Sequence, residues 1–226
     1  MRQGFSLVEL MVCIAIIAIL LAIALPTLAL ARARGRQTVC VRNLQQLTIA
    51  ARQYAADYEG VLPLTSHSGS ESAWLKTLQG YGITPAQALC PDDPLRGRRQ
   101  RQGGTSYAWN EQLLGELAAA HDAGARPQVA YLAAPSLEQL ARPAETLLLL
   151  EQSEASGTDL RGDHIHNRAW KRFPERLCEL LQSDLALARH PGGTLTTCAD
   201  GHLQHFPPGA LEALARQGDD PLQVPL

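Results

Sequence analysis

Gly4-Phe5-Ser6-Leu7-Val8-Glu9-Leu10 opens the most apolar part of the chain, and from Leu10 to Ala31 no residue is charged. At 1.5 Å rise per residue, a helix over these about 22 positions spans the roughly 30 Å hydrocarbon core of a bilayer. The stretch reads as a transmembrane helix. Two details separate it from a plain anchor: the polar start Met1-Arg2-Gln3-Gly4 is very short, and a carboxylate, Glu9, stands near the edge of the apolar run. A charge toward the bilayer centre costs about 2.5 kcal/mol or more, so one retained here calls for a partner.

Downstream of the span, Cys40, Leu44, Leu47, Ala51, Tyr54 and Tyr58 recur at spacings of four and three, one face of a helix. Arg42, Gln46, Arg52, Gln53 and Asp57 fall on the opposite face, and Gly60 followed by Pro63 ends the element. Continuous with the span, this predicts a helix from Phe5 to Tyr58 about 80 Å long, its second half docked on a head. The chain of 226 residues has room for one head domain beyond that helix. A net charge of -2 gives no general electrostatic reason to expect nucleic acid as a partner.

The opening string closely resembles the processing and methylation motif of type IV prepilins and type II secretion pseudopilins. The resemblance implies cleavage by a prepilin peptidase after Gly4 and N-methylation of Phe5. It also implies that Glu9 neutralises the amine of a neighbouring subunit during assembly, and that Pro26 kinks the helix. The physics agrees: an amine and a carboxylate that meet inside an apolar helix bundle satisfy each other, and the proline ring removes one helix hydrogen bond. An ordinary secretory signal, cut near Ala29-Leu30-Ala31, has too short an apolar core to match and gives no reason for Glu9. A simple signal anchor does not account for the Gly-Phe-Ser-Leu-Val-Glu string. Charge alone argues the other way on orientation, since Arg32, Arg34 and Arg36 follow the span while only Arg2 precedes it; the resemblance places the head outside the cytoplasm.

Past Gly60 the sequence predicts a helical piece around Ser72 to Leu78, a strand at Ser106–Trp109, a helix from Glu111 to His121, a buried strand at Thr146–Leu150, and a helix from Pro174-Glu175 to Ser183. Asp200-Gly201, between Thr194–Ala199 and His202–Phe206, is a two-residue hairpin signature. That register sets Ala199 opposite His202, Cys198 opposite Leu203 and Leu195 opposite Phe206, so that Cys198 shares a face with Thr196, Leu203 and His205. The same segment resembles a second hallmark of a prepilin-like subgroup, a histidine, nine residues, then Asp-Gly: His190, Pro191 to Ala199, Asp200-Gly201. Leu89-Cys90-Pro91-Asp92-Asp93, Ser106-Tyr107-Ala108-Trp109-Asn110 and Arg189-His190-Pro191-Gly192-Gly193 agree with it. The arginine-rich loop and the insertion around Asp159 to Trp170 depart from it.

No catalytic constellation emerges. His190 and Asp200 should lie about 20 Å apart at opposite ends of an extended strand; Asp200 and Gly201 read as turn residues, and His190 as tying down the loop that enters the strand. Asp163, His164 and His166 could join His202 or His205 around a metal, but no spacing fixes a further ligand. Some secretion pseudopilins bind calcium near the C-terminal sheet, so the resemblance admits calcium; Asp219-Asp220 alone makes no calcium loop, and no ligands are assigned. Arg96, Arg98, Arg99 and Arg101 read as a solvated loop, with DNA contact as the alternative. Tyr107 and Trp109 read as core. Of five cysteines, Cys13 lies in the apolar span. Cys40 on the helix stripe and Cys90 in a proline-bounded loop are the expected disulfide, with Cys178–Cys198 the second; four buried thiols are the alternative.

These expectations combine into an α+β, pilin-like subunit: a leader over 1–4, a transmembrane assembly helix over 5–31, its amphipathic continuation over 32–59, and a head over 60–226 built on a small antiparallel sheet. Its partners would be prepilin peptidase, other pilin or pseudopilin subunits and an inner-membrane assembly platform. The rival classes are an enzyme, a membrane-anchored periplasmic binding module that does not polymerise, and a DNA-uptake or adhesion pilin. Glu9 discriminates assembly from a module that never polymerises: if Glu9→Ala leaves membrane extraction and filament formation unchanged, the assembly reading fails.

Overall fold

The computed structural model describes residues 6–63, 65, 73–114, 117–118, 130–131, 135–155 and 164–224. A single helix, α1, runs from Leu7 to Asp57, about 75 Å at 1.5 Å per residue. Its first half carries its apolar side chains in the open: Leu7, Ile14, Ile19 and Leu25 are all more than half exposed. From Cys40 onward one face is sealed, with Cys40, Leu44, Leu47 and Ala51 fully buried. Tyr58 does not extend that face as expected. The helix ends at Asp57, Glu59 and Gly60 turn to positive φ, and the Gly60 N–H closes back on the Ala55 carbonyl. This turn leaves Tyr58 exposed, stacked on Tyr54 at 4.3 Å.

The head strands are β1 (Tyr107–Asn110), β2 (Leu117–Ala118), β3 (Ala130–Tyr131), β4 (Leu147–Glu151), β5 (His164–Ile165), β6 (Thr194–Cys198) and β7 (Leu203–Phe206). Five of them form one sheet in the order β5-β1-β4-β6-β7, and β2 pairs with β3 separately. The sheet is mixed, not purely antiparallel as expected, because β5 runs parallel to β1 with Trp109 opposite His164. The shorter helices are α2 (Ala73–Gln79), α3 (Arg96–Gln102), α4 (Asn167–Trp170), α5 (Leu177–Asp184) and α6 (Ala210–Arg216).

The large sheet is covered on both faces, which explains the unbroken apolar run of β4. On the α1 side Leu44, Leu47, Tyr107, Trp109, Leu148, Leu149 and Leu195 share one core, and Trp74 of α2 meets Trp109 edge-on at 5.5 Å. On the other side Ala108, Leu147, Leu150 and Cys198 pack with Leu177 and Leu181 of α5 and Leu211 of α6. A register shift between Leu147 and Leu149 lets Leu148 and Leu149 both face α1.

Two expectations fail on local geometry. Among the described residues of 111–121 no α-helix forms, and 115, 116 and 119–121 lie outside them: the Asn110 side chain accepts the Gln112 N–H and holds a single 3-10 turn, after which Leu114 is already extended and Leu117–Ala118 is a strand. Successive Leu113 and Leu114 are both buried, which an extended exit allows. The hairpin turn, in turn, holds three residues, not two. The Cys198 carbonyl accepts the Gly201 N–H, the Cys198 N–H reaches the His202 carbonyl, and Gly201 sits at φ 100°. This is a type I turn closed by a left-handed residue. Register therefore slips by one: Thr197 faces Leu203, Leu195 faces His205 and Thr194 faces Phe206. A one-residue slip moves side chains to the other face, so Leu203 joins the α1-side core while Cys198 points away from it.

Candidate functional site

The N-terminal half of α1 is a candidate assembly surface. Gly4 and Phe5 lie outside the described residues. At the helix start the Glu9 carboxylate accepts the Ser6 backbone N–H at 2.9 Å, a local use of the charge that fits an acidic group at a helix N-terminus. Across Pro26 the chain stays helical. Thr27 donates its hydroxyl to the Ala24 and Ile23 carbonyls, at 2.9 and 3.2 Å.

A second constellation lies where α1 enters the head. Cys40 and Cys90 form a disulfide with both residues fully buried. His190, also buried, places Nε2 at 2.7 Å from Glu151 Oε1 and 3.7 Å from Cys90 Sγ, and Nδ1 at 3.1 Å from Asp92 Oδ2. The other Glu151 oxygen accepts the Thr194 hydroxyl and the Leu195 N–H. Asp92 is in turn ion-paired with Arg36 of α1. His190 also exchanges backbone hydrogen bonds with Gly193 at the entrance to β6. The loop 89–93, the 106–110 strand and the 189–193 segment, each noted in the sequence, thus meet in space.

Beside them runs a buried ionic network. Arg99 is 0 % exposed and pairs with Asp93 at 2.8 Å, and its guanidinium donates to Gln152 Oε1 and to the Ser153 carbonyl. Burial pulls the Arg99 guanidinium below its ordinary value, against the pull of Asp93. Asp93 also accepts the Ser106 hydroxyl at 2.6 Å, and Arg189 donates to the Ser106 and Gln152 carbonyls. The solvated loop expected for residues 96–101 is therefore α3, with Arg96, Arg98 and Arg101 outward and Arg99 inward.

Several residues do not come together. His164 belongs to β5, at the sheet edge opposite β7, which carries His205; four strand spacings put them about 19 Å apart, too far to share an ion. His202 sits beside the turn, its Nδ1 at 2.7 Å from Asp200, and Asp163 lies outside the described residues. The Cys178–Cys198 bridge is absent. Both thiols are free, Cys178 lying next to the inward Leu177 on the rim of α5 and Cys198 approaching Gln204 at 3.3 Å.

Residues 1–25 match the family described as the prokaryotic N-terminal methylation motif. This is a prepilin-type N-terminus. Comparison with curated proteins and with solved structures gives no match. The apolar half of α1 is long enough to cross a membrane, and none of it is buried within the chain; with the motif, this indicates membrane anchoring.

Sequence reasoning missed Glu151 and Arg99 as buried polar centres. The signal for Glu151 was a lone carboxylate closing the apolar run Leu147–Leu150. Arg99 had no such signal, because its three arginine neighbours are exposed and the α3 turn alone selects it.

Proposed function

We propose that the protein is a structural, non-enzymatic subunit of a type IV pilus or a type II secretion pseudopilus. Prepilin peptidase removes residues 1–4, Phe5 is N-methylated, and the head is held on the non-cytoplasmic side of the inner membrane. Subunits then pass through a membrane assembly platform and polymerise through their apolar half-helices. The observation that carries this reading is one continuous helix whose first half bears the methylation motif and exposed apolar side chains, and whose second half is buried in a head. Apolar residues along Leu7–Leu30 bury nothing within the chain itself, and lipid or neighbouring helices would cover them. Glu9 bonded to Ser6 is then the resting arrangement, exchanged on assembly for the methylated amine of a neighbour.

Glu9→Ala tests this in a cell that makes the filament. Loss of incorporation, with the chain still processed and anchored in the membrane, supports the reading. Unchanged incorporation and unchanged extraction from the membrane would instead favour an anchored binding module.

A further inference from the structure

Among the described residues, Cys40, Cys90, Glu151 and His190 offer four ligand atoms that lie within 4.8 Å of one another, and all four residues are buried. A structural zinc ion takes four such donors in a tetrahedron, with bonds near 2.3 Å to sulfur and about 2.0–2.2 Å to nitrogen and oxygen. Those bonds set donor-to-donor edges of roughly 3.4–3.8 Å. The His190 Nε2 to Cys90 Sγ distance of 3.7 Å already meets this; the 2.7 Å His190–Glu151 contact needs to open by about 0.7 Å.

The surroundings are those of a metal centre. Histidines that bind metal through one nitrogen almost always hold the other on a carboxylate, a backbone carbonyl or water. Here Nδ1 faces Asp92 while Nε2 faces the cluster. Glu151 is oriented likewise, one oxygen held by Thr194 and Leu195 and the other left toward His190. Arg36 anchors Asp92 from the opposite side.

We propose that, before the disulfide closes, Cys40, Cys90, Glu151 and His190 bind one zinc-class divalent cation, so that the same pocket holds either a metal or a disulfide. In the dithiol chain the cation displaces one proton from each thiol and is held by two thiolates, the neutral imidazole and the ionised carboxylate. Disulfide closure by a thiol–disulfide oxidant transfers two electrons to the oxidant's sulfur–sulfur bond and expels the cation. The reverse can be driven by a phosphine: it becomes the phosphine oxide with oxygen from one water, whose two protons go to the two sulfurs.

The test uses the full chain in detergent micelles, reduced with a phosphine and titrated with cobalt(II). One cobalt per chain is expected, with a thiolate-to-cobalt charge-transfer band and the intense visible absorption of a tetrahedral ion, both lost on adding zinc. The disulfide form should show neither. Cys40→Ser with Cys90→Ser should abolish the bands, Cys178→Ala with Cys198→Ala should keep them, and Asp92→Asn should weaken binding about 10–100-fold at unchanged stoichiometry. The proposal is overturned if the reduced chain keeps its far-ultraviolet dichroism but gives no thiolate band, if the band survives loss of Cys40 and Cys90, or if reduction unfolds the chain and zinc does not restore it.

Discussion

Thr48, midway along the docked half of α1, donates its hydroxyl to that of Thr197 in β6 at 2.7 Å, with both residues buried. The contact joins positions 149 residues apart and, together with Arg52 of α1 donating to the Ala199 carbonyl, fixes the register of helix on sheet. Thr48→Val should cost about 1–3 kcal/mol, because the Thr197 hydroxyl loses its donor in a buried place. Adding Thr197→Val should restore part of that loss. Denaturant unfolding of the four chains gives the coupling, expected at about 0.5–3 kcal/mol; additive losses would contradict the seam.

The Cys40–Cys90 bond closes a loop of 50 residues between helix and head. Replacing both cysteines by serine should cost about 2–5 kcal/mol, measured as a lower midpoint in denaturant. Full retention of stability would mean that the helix seam alone holds the head.

Arg99→Met removes the nearest cation from the buried Asp93 carboxylate, leaving it Arg189 at 3.9 Å, and should destabilise by about 3–5 kcal/mol. Arg101→Ala, outward on the same helix, should stay within about 0.5 kcal/mol. Equal effects would contradict the inward placement of Arg99.

Cys198 is sealed beneath the sheet, and burial first, then the charge of Asp200, pushes its thiol up to about 12. At neutral pH an alkylating reagent should modify Cys178 and spare Cys198 until the chain unfolds, read by peptide mass. The folded thiol keeps its proton longer than the unfolded one, whose value is about 8.5. Stability from this group is therefore fully present below the unfolded value and falls as pH rises toward about 12. A rise in stability across that window would contradict the burial.

Much of this architecture was legible in the sequence because it follows from local rules. The apolar span, the Cys40–Tyr58 stripe as far as Tyr54, and the Thr146–Leu150 strand, found one residue on at Leu147–Glu151, are patterns of period or length, and each forms. What failed depended on contacts between distant segments or on one backbone angle. Asp200-Gly201 announces a turn, and Gly201 takes positive φ in a two- or a three-residue loop alike; Asp200 stays out of the left-handed region and the Gly201 N–H closes on the Cys198 carbonyl, so the loop holds three residues, and that separates Cys198 from Leu203 and His205, with which it was expected to share a face. His190 does tie down the loop that enters β6, through Gly193, but its side-chain partners Asp92 and Glu151 lie 98 and 39 residues away, beyond the reach of any spacing rule. Arg99 is set apart from its arginine neighbours by one turn of α3.

Mass spectrometry of the chain recovered from membranes of a cell with an active prepilin peptidase should show a mature chain that lacks residues 1–4 and begins with N-methylated Phe5. A chain that retains Met1 to Gly4 in that setting, or one cut near Ala31, would contradict prepilin processing.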